Sequence, residues 1–115
     1  MAILRARRSD WASGEGWNGK LEGKDSGASV SFLFNEVDEP GKGPPLHAHP
    51  YDEVHIVRRG HARFTVAGET FEAEAGDIIV VPATQPHKVV TLGDGTTEIM
   101  SVHLSDRFEG TFFED

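Results

Sequence analysis

Cysteine is absent from this 115-residue chain, which excludes disulfides, thiolate metal sites and cysteine nucleophiles. Positive charge is scarce: 11 Lys and Arg stand against 19 Asp and Glu, a formal charge of −8. Such a field repels phosphate backbones and anionic lipid, so nucleic-acid and membrane partners are not expected. Long apolar runs are missing too. None approaches the roughly 20 residues of a membrane-spanning helix, and the opening residues, MAILRARRSD, lack the apolar stretch of a signal peptide. The expected setting is the cytoplasm. No stretch has convincing 3.6-residue periodicity, so no long amphipathic helix is expected. A chain this short has room for one core and one domain. Against these absences, six His stand in a sequence with a single Tyr.

Thirteen Gly and six Pro punctuate the chain at short intervals, leaving runs too short for helices. Residues 29–34, 53–57, 62–66, 69–73, 78–81, 87–91 and 96–104 are β-rich, and several alternate apolar and polar as half-buried strands do. Ala67-Gly68 joins two of them as a hairpin turn; Gly60 and Gly93-Asp94-Gly95 mark further turns. Strands at this spacing predict an all-β sandwich or barrel. Phe32, Phe34, Phe64 and Phe71 are spaced as its core, and residues 106–113 are expected to form a short C-terminal turn. Residues 1–28 are polar and Gly-rich, with Trp11 and Trp17 as isolated apolar anchors. They are expected to form an arm laid on the barrel of residues 29–115 or on a partner subunit. Val54 and Ile56 lie opposite Glu53 and His55 on their strand, and residues 78–81 are apolar on both faces. Apolar residues left on outer faces predict a homodimer.

His47, His49, Glu53 and His55 share one parity, and on an extended chain residues two apart share a face. His47-Ala48-His49 therefore aims two imidazoles the same way. Pro50 interrupts the strand, so parity alone does not carry Glu53 onto that face, though it makes the arrangement easy to reach. Two imidazoles and a carboxylate converging outline a metal site, and His87, on a later strand, is placed to close it as a fourth ligand. A His-x-His pair alone is a weak signal, because lone His residues are more often surface or satisfied core groups. The wider spacing is more specific. Gly41 is followed after five residues by His47-x-His49, after three more by Glu53, and after six more by Gly60; then come Gly76, Pro82 after five residues, and His87.

The first of these stretches resembles motif 1 of the cupin superfamily, G-x5-H-x-H-x3-4-E-x6-G, at every defined position. The second is similar to motif 2, G-x5-P-x-G-x2-H-x3-N, with two departures: Thr84 stands in place of Gly and Thr91 in place of Asn. The first departure bears on the backbone geometry of a turn and the second on a hydrogen bond; neither position is a ligand in the pattern. The resemblance implies a double-stranded β-helix, a jelly-roll barrel, with Gly41, Gly60, Gly76 and Pro82 as turn residues. It implies His47, His49, Glu53 and His87 as ligands of a divalent transition metal (Fe, Mn, Ni, Co, Cu or Zn). Three neutral imidazoles and one carboxylate leave such an ion net positive, with cis positions open to water, dioxygen or a chelating substrate if it is octahedral.

His55, two residues past Glu53, is expected to point into the barrel beside the metal as the catalytic group, a substrate partner or an extra ligand. The plainer alternative is that it only orients Glu53. Tyr51, Gln85 and His103 are candidate substrate-binding residues, with Tyr51 and Asp52 at the mouth. Both parities around His103 are apolar enough to be buried, so its facing stays open and a packed or rim position is the plainer reading. His61, Arg58, Arg59 and Arg107 are expected at the surface or an interface. The expected function is that of a small metal-binding cupin enzyme, dioxygenase-like, isomerase or decarboxylase-like, acting on a small oxyanionic or carbonyl ligand. The alternative is a non-catalytic metal-holding module that binds or senses a small ligand. An enzyme needs a cavity at the metal and a titratable group besides the ligands; a module need have neither.

Overall fold

The computed structural model describes residues 5–93 and 95–114; Asp94, in the expected Gly93-Asp94-Gly95 turn, and residues 1–4 lie outside the described residues. The strands are β1 (Gly19–Leu21), β2 (Ser31–Val37), β3 (His47–Ala48), β4 (Glu53–Arg59), β5 (His61–Val66), β6 (Glu69–Glu74), β7 (Ile78–Val81), β8 (His87–Leu92), β9 (Thr97–His103) and β10 (Thr111–Phe112). They form two five-stranded sheets, in the orders β1-β2-β9-β4-β7 and β10-β3-β8-β5-β6. Every pairing is antiparallel. This is the all-β double-sheet barrel that the strand spacing predicts. No helix among the described residues is long and apolar enough to cross a membrane.

Period-two burial positions the site. In β4, Glu53, His55 and Val57 are buried while Val54 and Ile56 are only partly so. In β9, Thr97, Ile99, Ser101 and His103 are buried and their neighbours half-buried, which sends His103 inward. The apolar core proper, including Val57, Phe64, Val81, Val89 and Ile99, fills one part of the space between the sheets. The rest of that space is lined by polar side chains: His47, His49, Glu53, His55, His87, Ser101 and His103 are all buried.

Two tight turns require positive φ. Gly60, at +75°, joins β4 to β5, and a Cβ there would collide with the backbone of Thr96 and Thr97. Ala67 and Gly68 both have positive φ, the two-residue turn that matches strand twist in a hairpin. Thr84, where the motif has Gly, also sits at φ +71°, an outlier for a β-branched residue. Its N–H donates to the His49 carbonyl at 2.7 Å, so the strained turn braces the chain just past β3, at a candidate ligand. Thr84→Gly is expected to stabilise the protein by about 0.5–1 kcal/mol, the relief of left-handed strain less the entropy of an added Gly. A higher urea midpoint at unchanged slope would show it. Thr91, where the motif has Asn, forms its hydrogen bonds: its Oγ1 donates to the Glu39 carbonyl at 2.7 Å and accepts from the Lys42 N–H at 3.0 Å.

Three sequence expectations need correction. Phe71 is 38% exposed, because β6 is the sheet edge and turns only Ala73 into the core; its ring stacks on buried Phe64 at 6.0 Å. Phe32 and Phe34 are half-buried, and Phe34 serves as the platform for Trp11, whose ring stacks on it at 4.2 Å. Residues 106–113 do not form an isolated turn: Thr111 and Phe112 pair with Ala48 and His47. The segment before β2 includes two four-residue helices, Arg8–Trp11 and Gly23–Ser26, and β1, which pairs with β2 of the same chain.

Candidate metal centre

Glu53, 2% exposed, is the hub of the site, and its two carboxylate oxygens face different histidines. Oε1 lies 3.2 Å from His49 Nε2 and 3.0 Å from His87 Nε2. Oε2 lies 2.9 Å from His103 Nε2 and 3.3 Å from His55 Nε2. Strand register makes this convergence. His47 pairs with His87 across β3 and β8, and Glu53 and His55 pair with His103 and Ser101 across β4 and β9.

The partner of each Nδ1 sorts the imidazoles chemically. His47 Nδ1 is 2.6 Å from the Pro45 carbonyl, His49 Nδ1 is 2.6 Å from the Glu109 carbonyl, and His87 Nδ1 is 3.0 Å from the Gln85 carbonyl. A carbonyl only accepts, so each Nδ1 carries the hydrogen, and in the neutral ring each Nε2 keeps a lone pair. Those lone pairs and a Glu53 oxygen lie within 4.8 Å of one another. At His49 and His87 the Nε2 atoms face Glu53 Oε1, a contact made favourable either by a proton on Nε2 or by a cation between them. His49 Nε2 is buried with no hydrogen-bond partner. The remaining two differ. His55 Nδ1 meets the Ser101 hydroxyl at 2.8 Å and His103 Nδ1 meets the Tyr51 hydroxyl at 2.7 Å. The Ser101 hydroxyl can donate, which leaves Nε2–H of His55 to face Oε2, whereas the Tyr51 hydroxyl also donates to the Glu109 carbonyl at 3.2 Å; neither Nε2 has a finished hydrogen bond.

Electrostatics follow this division. Burial works against charge on Glu53, but the imidazoles of His103, His49 and His87 outweigh it and hold the carboxyl far below the usual carboxylate range. Burial lowers His55 to about 4 and also lowers His47. For His49, burial is outweighed by the Glu53 carboxylate and the Glu109 carbonyl, and its pKa rises. Burial raises the Tyr51 phenol. The donor set of three imidazole nitrogens and one carboxylate oxygen suits a divalent transition metal.

A cavity of about 430 Å³ opens on these groups, lined by His47, His49, Glu53, His55 and His103 among others. Tyr51 and Gln85 are not among its lining residues; Tyr51 reaches the site through His103, and Gln85 through its backbone carbonyl. Asp52 accepts the Ala83 N–H at 2.8 Å and so braces the loop before β8. His61 is half-buried at the start of β5. Sequence reasoning missed Ser101, Phe108 and Phe112. Ser101 had a signal, a polar residue sharing parity with His103 in an apolar strand. Phe108 and Phe112 had none, since a non-local pairing brings them to the cavity.

A family model described as the cupin domain matches residues 35–103. The chain is a cupin. This cupin is 31% identical over 80 residues to the polyketide synthase CurC of Streptomyces cyaneus, covering 69% of the chain and 51% of that relative. It is 34% identical over 65 residues to an acireductone dioxygenase of Geobacillus thermodenitrificans, covering 51% of the chain and 35% of the relative. Among solved structures, a Bacillus subtilis oxalate decarboxylase studied for its Mn(II) centres superposes with a TM-score of 0.75 at 26% identity, covering 90% of this cupin and 29% of that chain. A Lactobacillus farciminis oxalate decarboxylase in complex with formate gives 0.76 at 23% identity, covering 91% and 34%, a likeness of fold. The cupin thus spans about half of the length of the CurC relative and about a third of each of the others.

Proposed function

We propose that this cupin is a metal-dependent enzyme, dioxygenase-like, isomerase or decarboxylase-like, acting on a small oxyanionic or carbonyl substrate. The observation that carries the reading is the sorting of the imidazoles: three rings anchored at Nδ1 on carbonyls, with their Nε2 lone pairs beside Glu53 at the end of a cavity. His47, His49, Glu53 and His87 would hold the ion. When bound, such an ion supplies Lewis acidity and a place for an oxyanion or dioxygen.

The chain's own groups do the rest. His55, neutral near pH 7 because burial holds it at about 4, is among the residues lining the cavity and is proposed as the catalytic group that orients substrate and accepts a proton from it. His103 is proposed to hold Oε2 of Glu53 and to contact substrate, with Tyr51 behind it positioning its ring. Gln85 fixes His87 in the same way through its carbonyl. These titratable groups beside the ligands, with an open cavity, favour an enzyme over a metal-holding sensing module.

Metal analysis of the purified, metal-loaded protein is expected to give one divalent ion per chain, and a screen of small acids and enols under air to find turnover by oxygen uptake or product release. His55→Phe is expected to keep the metal and lose at least about a hundredfold in rate, the scale of a positioned acid–base group. Substoichiometric metal in the parent protein overturns the reading, and loss of metal in the variant would move His55 into the ligand set.

We also propose a cytoplasmic homodimer. Ile78 and Val80 of β7 are 64% and 60% exposed, on a sheet-edge strand beside half-buried Val54 and Ile56 of β4, an apolar face of the kind that marks interfaces. Light scattering at micromolar concentration is expected to give twice the 12.6 kDa chain mass; a monomer there counts against it, and Val80→Lys is expected to produce one.

A further inference from the structure

Beyond the metal ligands, the cavity's shape and chemistry restrict what can fill it. Its volume, about 430 Å³, falls within the roughly 300–1,000 Å³ of sites that enclose drug-sized ligands. Polar groups converge at the Glu53 end. Much of the remaining lining is apolar: Leu33 and Val37 of β2, with Asn35 between them, Val89 of β8, Ile99 of β9, and Phe108 and Phe112 of the C-terminal segment. Two hydroxyls on those walls are already engaged, Thr91 with Glu39 and Lys42 and Ser101 with His55. A dicarboxylate of a few atoms would pair at the Glu53 end and leave the apolar walls facing empty space or water.

The two phenylalanines flank the imidazoles. Phe112 stacks on His47 with centroids 4.9 Å apart and planes at 15°, and Phe108 meets His103 edge-on at 4.8 Å and 90°. Both are arrangements that aromatic rings favour, and either phenyl can extend its contact to a third ring. Positive charge is present on the same lining: Lys20 Nζ lies 5.9 Å from the Phe108 centroid, and Lys42 is on the lining too. The lining also carries Glu109, and Lys42 lies 4.0 Å from Glu39, so in a protein of net charge −8 it is Lys20, at the Phe108 ring, that offers an acid a local positive charge.

We propose that the substrate is an aromatic acid or enol, with adjacent oxygens at the metal end and a flat apolar body against Phe108, Phe112 and the β2 wall. The inference rests on the metal centre proposed above and adds the class of molecule that the centre serves. Each class has a plain probe: 3-hydroxy-2-naphthoate carries both the chelating pair and the apolar body, whereas oxalate carries the chelating pair alone.

The experiment is calorimetric titration of the metal-loaded full chain, with metal content measured on the same samples. The naphthoate is expected to bind at least about tenfold tighter than oxalate. Phe108→Ala is expected to weaken the naphthoate about fivefold to tenfold, the worth of an aromatic contact, with oxalate binding and metal content unmoved. Leu33→Gln, on the β2 wall, gives a second variant with the same expected split should the first fail to fold. Stoichiometric metal with oxalate bound as tightly as the naphthoate, or variants that weaken both probes alike, would overturn the aromatic assignment alone. Substoichiometric metal in the parent would overturn the metal centre and this inference with it.

Discussion

His49→Ala is expected to weaken metal binding at least about a hundredfold, leaving well under one ion per chain after dialysis. The scale comes from metal sites in general, where removing a group that merely orients a ligand costs about 10–100-fold in affinity. Removing a ligand should cost no less. His49 is the sharpest choice because its Nε2 is buried and unpartnered while its Nδ1 is fixed by the Glu109 carbonyl. Metal analysis on dialysed protein measures the loss, with His61→Ala, outside the metal cluster, as the variant that retains its ion. Undiminished stoichiometry in His49→Ala would remove His49 from the ligand set.

Phe64→Ala is expected to cost about 3–5 kcal/mol, the usual range for emptying a buried phenylalanine site. Phe64 is 1% exposed and lies between two rings, Phe71 at 6.0 Å and His55 at 5.3 Å. It also pairs with Val89 of β8 on one side and Phe71 of β6 on the other. Pairing on both sides holds the surrounding backbone in place, so the space cannot close by collapse. Small domains have only about 5–15 kcal/mol of stability, so the variant should melt roughly 10–25 °C lower. Differential scanning calorimetry measures this; a shift below a few degrees would mean that the core repacks around the loss.

The sheets and the candidate metal cluster were legible in the sequence because both are written in local spacing. Alternation in residues 53–57 places Glu53 and His55 on one face, and β4 buries that face. His47-x-His49 needs only two residues of extended chain. What was not legible depends on contacts between distant segments. His103 had apolar neighbours of both parities because the outer face of β9 is covered as well: Met100 shares a small cleft with Trp17 and Phe34. The tautomers of His47, His49 and His87 are set by backbone carbonyls, which no side-chain pattern encodes. The Tyr51–His103 contact spans 52 residues, and the His49–Glu109 contact spans 60. Phe71 misled because its spacing fits a core strand, while its exposure was decided by β6 lying at the sheet edge.

The carbonyl anchors on the three ligand imidazoles have a consequence for how the protein is made. Pro45, Gln85 and Glu109 hold those rings by ordinary hydrogen bonds from the chain itself, on strands already secured by sheet pairing and an apolar core. A scaffold secured in this way is expected to fold without an ion to order it, in contrast to small domains whose folding is driven by metal. Loading is then an exchange reaction on a finished receptor. Its outcome follows the supply of competing divalent ions as much as raw affinity, and a chelator should strip the site while leaving the barrel folded.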